Sequence, residues 1–469
     1  MIYQMKKFRI EKDTLGKIFI SSEAYWGTQT QRAVENFPIS TLKPHPIYIN
    51  STVIIKKAAA TVNSHLELLK NKEVKAIIQT CDEILSGKLI DQFVVDPYQA
   101  GAGTSHNMNV NEVIANRANE ILGATLGSYK FIHPNDHVNM SQSTNDVIPT
   151  AIRIACLYTL PQLITNLTYL SHSFLIKSRE FKTIIKSGRT HLQDALPITL
   201  GQEFSGYTQA VKNDIKRIER SANNLLKIGI GGTAVGTGIN THPKYHQLMI
   251  KELSKLTKLS LKPSGNLFES MQNTADFLDL SSTLRILAHT LIRIGNDLRL
   301  LSSGPKTGLA EIRLPEVQAG SSIMPGKVNP TIVEMLTMVC FQVIGYDQAI
   351  LQASLSGQLE LNIMFPLIAY NLLEQIKILT NAIYIFNKKC IIRMKANIEV
   401  CRFWFERSLG IAAILTPYLG YDKVANLVKE SLKTNKSIKD LAIKKGLLTK
   451  TEAVKLFSIS KLAKPNLSS

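Results

Sequence analysis

The chain has 469 residues, 45% of them apolar, with 55 Lys+Arg against 36 Asp+Glu and a formal charge of +19. That apolar fraction excludes a disordered chain, and 26 Gly with 17 Pro exclude collagen-like or low-complexity character. The five cysteines (Cys81, Cys156, Cys340, Cys390, Cys401) lie far apart, without a C-x-x-C pair, which excludes a disulfide framework and a zinc site and fits a reducing, cytoplasmic setting.

The first residues, Met1 to Asp13, are too charged for a signal peptide. Apolar stretches such as Leu361 to Leu373 stop short of the ~20 residues a membrane span needs, so no membrane partner is expected. Residues 1–146 read as a mixed N-terminal α domain. It has helical pattern from Ile47 to Leu85 and then a tract, 98–146, dense in Gly, Asn, Ser, Thr and His. From 147 to 395 long helical runs dominate: roughly 147–186, 199–228, 266–302, 330–354 and 359–395. In the third, Phe277, Leu280, Leu284, Leu287, Leu291, Ile294, Leu298 and Leu301 form a heptad seam. Several helices of this length predict a central bundle domain, mainly α and oligomeric. Residues 396–469 read as a small C-terminal helical domain, with shorter helices separated by Pro417, Gly420 and Gly446.

Four polar clusters interrupt the helices: Gly101–Asn109, His133–Asp146, Ser187–Asp194 and Gly320–Pro330. Each sets hydroxyls, amides or a cation beside glycines that let backbone N–H groups approach a ligand. Helix capping accounts for Ser143, Thr144 and Asn145 taken alone. Four such clusters in one chain point instead to a site for a polar anion.

Two other motifs fail. Gly320 to Lys327 has five residues between its glycines and Val328 where a P-loop needs Ser or Thr. The run Gly231–Gly238 follows a helix rather than a strand, against a dinucleotide fingerprint. His133 and His137 are four apart, but Pro134 disfavours the helix that would aim both at one metal, and no metal site is expected.

Ser143–Asn145 and Thr190–His191 flank the run 147–186, which as a helix is about 60 Å long. Two clusters at its opposite ends cannot share one small ligand within a chain. If both are functional, the site is assembled from different subunits.

At these residues the sequence resembles the aspartase/fumarase family of lyases. The run Gly320-Ser-Ser-Ile-Met-Pro-Gly-Lys-Val-Asn-Pro330 looks like the family signature, and the likeness extends from Arg9 to Thr449. The resemblance implies a three-domain subunit, a homotetramer with a twenty-helix bundle, and sites shared between subunits. It implies a small dicarboxylate substrate, no cofactor, and anti-elimination to fumarate through an aci-carboxylate intermediate. By position, Ser143, Thr144 and Ser322 would hold the carboxylate that gains charge. Lys327, Asn329 and Thr190 would hold the other, and Thr104, Asn145 and His191 would face the leaving group. Residue chemistry alone nominates His191 as general base, since imidazole titrates near neutrality. The resemblance implies Ser321 instead, with Gly320, Pro325 and Gly326 suiting a lid. Glu334 matches an acid that partners the site histidine. His133, Asn135 and Asp136 match an accessory anion site of the hydratase branch, and an ordinary turn before the Ser-Thr-Asn cap explains them equally well.

Three motifs resemble the ammonia-eliminating branch, which acts on L-aspartate: Gly101-Ala-Gly-Thr-Ser105, Ser143-Thr-Asn-Asp146 and Pro315-Glu-Val-Gln-Ala-Gly-Ser-Ser322. Gln29–Ser40 and Gly201–Tyr207 read like the hydratase branch, which acts on L-malate. The motifs nearest the site weigh more, because the two substrates differ only at the leaving group.

The positive charge is not a nucleic-acid signal, since no helix-turn-helix, zinc-finger or RNP motif accompanies it. Residues 388–469 alone carry 17 Lys+Arg against 6 Asp+Glu, whereas 98–146 carry 2 against 4. The site therefore relies on Lys327 and neutral donors rather than on general basicity.

Overall fold

The computed structural model describes residues 7–458 and Leu462. Residues 1–6 of the charged N-terminal stretch, and 459–461 and 463–469 of the basic tail, lie outside that range. Helices dominate, and all strands occur in two-stranded pairs.

Strands β1 (Phe8–Asp13) and β2 (Gly16–Ser21) form an antiparallel hairpin. Helices α1 (Thr28–Asn36), α2 (Pro46–His65), α3 (Asn71–Leu85) and α4 (Thr104–Ile121) follow. The expected single helical run 47–85 is two helices. Glu67 takes a left-handed backbone (φ +62), and the Glu73 carboxylate accepts the Lys70 N–H at 3.2 Å, which starts α3 afresh. Helix α5 (Thr144–Glu180) has 37 residues, about 55 Å at 1.5 Å per residue, and runs unbroken through Pro149 and Pro161. By length and composition it could span a bilayer, which the sequence reading did not foresee; most of its apolar stretch is packed in the interior.

Next come the hairpin β3 (Ile185–Thr190) and β4 (Gln193–Thr199), α6 (Leu200–Asn224), β5 (Lys227–Ile228), α7 (Tyr245–Thr257), β6 (Lys262–Pro263), α8 (Leu267–Gln272) and α9 (Ala275–Leu301). The run 266–302 breaks once because Asn273 is extended and its Oδ1 accepts the Ala275 N–H at 3.0 Å, capping a new helix. All eight residues of the heptad seam are buried. The chain continues with β7 (Ile312–Arg313), α10 (Thr331–Leu355), α11 (Phe365–Phe386), β8 (Lys395–Ala396), α12 (Ile398–Arg407), α13 (Ala412–Leu419), α14 (Tyr421–Thr434), α15 (Ile438–Lys444) and α16 (Lys450–Leu456). Pro417 does not separate helices as expected. Helix α13 runs through it and stops at Gly420, whose φ of +79 ends the turn.

The chain divides into two compact units that interleave in sequence. The first comprises the described residues to 164, 216–286 and 341–379. The second comprises 165–215, 287–340 and those from 380 onward. The first unit buries Ile49, Val53, Ile77, Cys81, Ile84, Phe93, Val113, Ile114 and Ile132 from α2, α3, α4 and their loops. At roughly 1.5–3 kcal/mol per large apolar side chain, this core fixes the loops that follow it. The second unit packs Phe174 against Phe204, Tyr207 and Phe386, with ring centroids 5.8–6.5 Å apart. A separate small core, including Leu415, Leu427 and Leu441, forms past residue 411.

Candidate active site

In the first unit, Thr104 opens α4 after a tight turn in which Ala102 and Gly103 both have positive φ (+60 and +88). The Ala102 N–H donates to the Ile363 carbonyl at 2.7 Å, and a Cβ on Gly101 would stand 3.0 Å from that of Ile363. The turn is thus pressed onto a neighbouring loop and presents an exposed Thr104.

At the start of α5 the cap is reciprocal. The Asn145 N–H donates to Ser143 Oγ (3.3 Å), while the Ser143 N–H donates to Asp146 Oδ1 (2.9 Å). The other Asp146 oxygen accepts N–H groups of Gly231 (2.9 Å) and Thr233 (3.0 Å). Burial raises the Asp146 carboxyl to about 6, and these three N–H groups oppose the rise. Thr144 Oγ1 accepts from Asn107 Nδ2 (3.2 Å), and Asn145 Nδ2 donates to the Ala234 carbonyl (2.8 Å). Ser143, Thr144 and Asn145 are all half-buried at one helix N-terminus, where N–H groups and the dipole favour an anion.

Behind Thr144 lies a buried polar network that the sequence reading missed. Lys56 Nζ donates to Asn139 Oδ1 (2.9 Å) and Gln142 Oε1 (3.0 Å), and Asn107 and Asn111 donate to the same Asn139 oxygen (each 3.3 Å). The signal was present: Lys56 shares a helix face with Ile49, Val53 and Ala60, all buried. Burial lowers the Lys56 ammonium to about 7, with Asp146 opposing. An unfolded lysine holds its proton to about pH 10, so the folded chain binds fewer protons between about pH 7 and 10. Stability therefore rises with pH across that window. Urea unfolding midpoints are expected to increase more from pH 7 to pH 9 in the wild type than in Lys56→Met; equal increases would contradict this assignment.

Asn135 and Asp136 lie in a single helical turn, Pro134–Val138, capped by His133; the turn forms despite Pro134 because proline is tolerated at the first helical position. His133 Nδ1 accepts from the Asn135 and Asp136 N–H groups (3.3 and 3.4 Å), and His137 Nδ1 accepts from the His133 N–H (3.1 Å). Both imidazoles thus use Nδ1 within the turn. Among the described residues no three His, Cys, Asp or Glu side chains are grouped to hold a metal.

In the second unit, Thr190 and His191 stand at the exposed tip of the β3–β4 hairpin. His191 and Leu192 form its two-residue turn, with φ of +53 and +60. Non-glycine residues in that region are strained, which marks the tip as a functional candidate. Strand β3 is anchored below it by Lys186, which pairs with Glu203 (2.9 Å) and fully buried Glu311 (3.0 Å), and by Arg189, which pairs with Glu311 (2.8 Å).

The loop 320–329 is closed at its neck. The Gly320 N–H donates to the Lys327 carbonyl (2.9 Å), and Asn329 Nδ2 donates to the Gly320 carbonyl (2.7 Å). A Cβ on Gly320 would collide with the Lys327 backbone. Ser321 Oγ accepts N–H groups of Ile323 (3.2 Å) and Met324 (3.0 Å). Ser322 and Lys327 are exposed, and Lys327 forms no ion pair among the described residues. Glu334 is half-buried in the first turn of α10. The sequence-predicted residues thus gather in two groups. Thr104 and Ser143–Asn145, with the His133 turn, lie in the first unit; Thr190, His191, Ser321, Ser322, Lys327, Asn329 and Glu334 lie in the second.

Loops that present hydroxyls, amides and one lysine thus interrupt the long helices of both units. The family described as Lyase matches residues 16–345, and that described as Fumarase C C-terminus matches residues 411–464. The chain is 45% identical over 467 residues to aspartate ammonia-lyase of Bacillus subtilis (strain 168), covering 100% of this chain and 98% of that one. A solved fumarate lyase:delta crystallin from Brucella melitensis is 47% identical with a TM-score of 0.95, covering 98% of this chain and 100% of that chain. A class II fumarase from Schistosoma mansoni is 37% identical with a TM-score of 0.94, over 98% and 100%. The chain belongs to the aspartase/fumarase family of lyases.

Proposed function

We propose that the chain is an aspartate ammonia-lyase, eliminating ammonia from L-aspartate to give fumarate. The carrying observation is its near full-length likeness to aspartate ammonia-lyases, at higher identity than to the class II fumarase.

The reaction removes a proton from the carbon next to one carboxylate. The electron pair moves into that carboxylate as an aci-form, then returns to make the double bond as the C–N bond breaks and ammonia leaves. Donors aimed at the charged carboxylate lower the barrier, each by about 3–4 kcal/mol where oxyanion-hole values apply. Ser143, Thr144 and Ser322 take this role. Lys327, Asn329 and Thr190 hold the second carboxylate, and Thr104, Asn145 and His191 face the amino group. Ser321 takes the proton. The two N–H groups donating to its Oγ favour the alkoxide over the alcohol, which supports this choice over His191. Glu334 supports His191, and the His133 turn is an accessory anion site.

The protein works as a homotetramer of three-domain subunits whose long helices form a twenty-helix bundle and whose sites are each shared between subunits. One face of α10, Met338, Phe341, Gly345, Gln348, Gln352 and Leu355, is exposed and uncharged, which supports burial against another subunit. The five free, buried cysteines support a reducing cytoplasm.

The test follows the ultraviolet absorbance of fumarate with L-aspartate and, separately, with L-malate. Turnover of L-aspartate is expected. Turnover of L-malate alone would overturn the assignment in favour of a fumarate hydratase.

A further inference from the structure

The glycine-rich run Gly231–Gly238 is not a dinucleotide motif, and the structure gives it other work. It does follow a strand, the two-residue β5, but no helix begins at its glycines, so no phosphate-binding N-terminus is formed there. The run instead wraps the start of α5. N–H groups of Gly231 and Thr233 donate to Asp146, and the Ala234 carbonyl accepts from Asn145 Nδ2.

We propose that this loop is a positioning element that fixes the amide of Asn145, and so sets how the site reads the leaving group. The inference rests on the reading above that Asn145 faces the substrate amino group. A carbonyl only accepts, so Ala234 dictates that the amide nitrogen turns toward the loop. The oxygen Oδ1 is left without a partner among the described residues. An amide reversed at this point would present N–H donors to a group that is itself only a donor. Held as it is, Oδ1 accepts a charge-assisted hydrogen bond from an ammonium, which is about twice as strong as a neutral one.

The loop is built to be rigid. Thr233 is β-branched yet has a φ of +55, and its N–H is held by the buried Asp146 carboxylate at 3.0 Å. Such a residue persists only when its surroundings over-determine it. Gly236 (φ +111) lies against Phe268, whose backbone N and Cα would be 2.9 Å from an added Cβ. Together these contacts fix the peptide planes on either side of Ala234.

The test uses two variants of the full-length enzyme. Gly236→Ala forces the loop off Phe268. Thr233→Gly adds no atoms and frees the backbone beside Ala234. For each, KM for L-aspartate is measured alongside the inhibition constant of succinate, which has both carboxylates but no amino group. The expected result is a KM for L-aspartate raised about tenfold, equal to about 1.4 kcal/mol, with the succinate constant within about twofold of wild type. Should Gly236→Ala fail to fold, Thr233→Gly carries the test. Equal weakening of both ligands, or no change in either, would overturn the proposal. A wild-type enzyme that turns over only L-malate would instead remove the reading on which it rests, and that outcome is visible before any variant is made.

Discussion

Replacing Ser321 with alanine is expected to lower kcat by about 10²–10⁴-fold, the range for losing a positioned general base. The serine hydroxyl is an unpromising base on its own, because an alkoxide is far from neutral titration. Its loop changes that balance. The N–H groups of Ile323 and Met324 both donate to Ser321 Oγ, and hydrogen bonds to the charged form favour it. Lys327, in the same loop, adds a positive charge. Gly320 closes the loop neck where any side chain would strike the Lys327 backbone, so the geometry does not depend on Ser321 itself. Ser321→Ala should therefore keep the wild-type melting temperature and assembly. Steady-state kinetics with L-aspartate beside a thermal melt checks both. An active Ser321→Ala would return the base role to His191.

Replacing Lys327 with alanine should raise KM for L-aspartate by about 10²-fold or more, within the roughly 2–5 kcal/mol expected when one partner of a desolvated charge pair is removed. The surplus of positive charge on the chain does not compensate, since it is concentrated after residue 388. Among the described residues Lys327 is exposed and has no carboxylate partner, so its charge is available to a ligand. Arginine at this position should restore little, because its planar fork does not reproduce the compact ammonium. KM measured for the wild type, Lys327→Ala and Lys327→Arg checks the prediction. A KM within about threefold of wild type in Lys327→Ala would contradict the role, since that is under ~1 kcal/mol.

The sequence made the long helices legible because burial repeats with helical period. The seam from Phe277 to Leu301 is buried at every position. Breaks set by single side chains were not legible: Asn273 and Glu73 start new helices by local hydrogen bonds that no periodicity reports. The polar loops stood out because Gly, Ser, Thr and Asn are dense there. Lys56 stood out less: it lies on the apolar face of its helix, but its partners Asn139 and Gln142 lie more than 80 residues further along the chain. The role of the Gly231–Gly238 run was likewise hidden. Its work is done by backbone N–H and C=O groups, which residue identity does not reveal.

We propose that no chain completes its own site. It is tested most directly by mixing Thr144→Ala and Lys327→Ala proteins under conditions of proven subunit exchange, then measuring fumarate released from L-aspartate. If Thr144 and Lys327 of one site come from different subunits of a symmetric tetramer, random mixing in equal amounts restores about a quarter of the sites to wild type. Activity near that fraction of wild type is the predicted result. If both residues served a site within one chain, every site would keep one lesion. Hybrid tetramers no more active than the two parents would contradict the account.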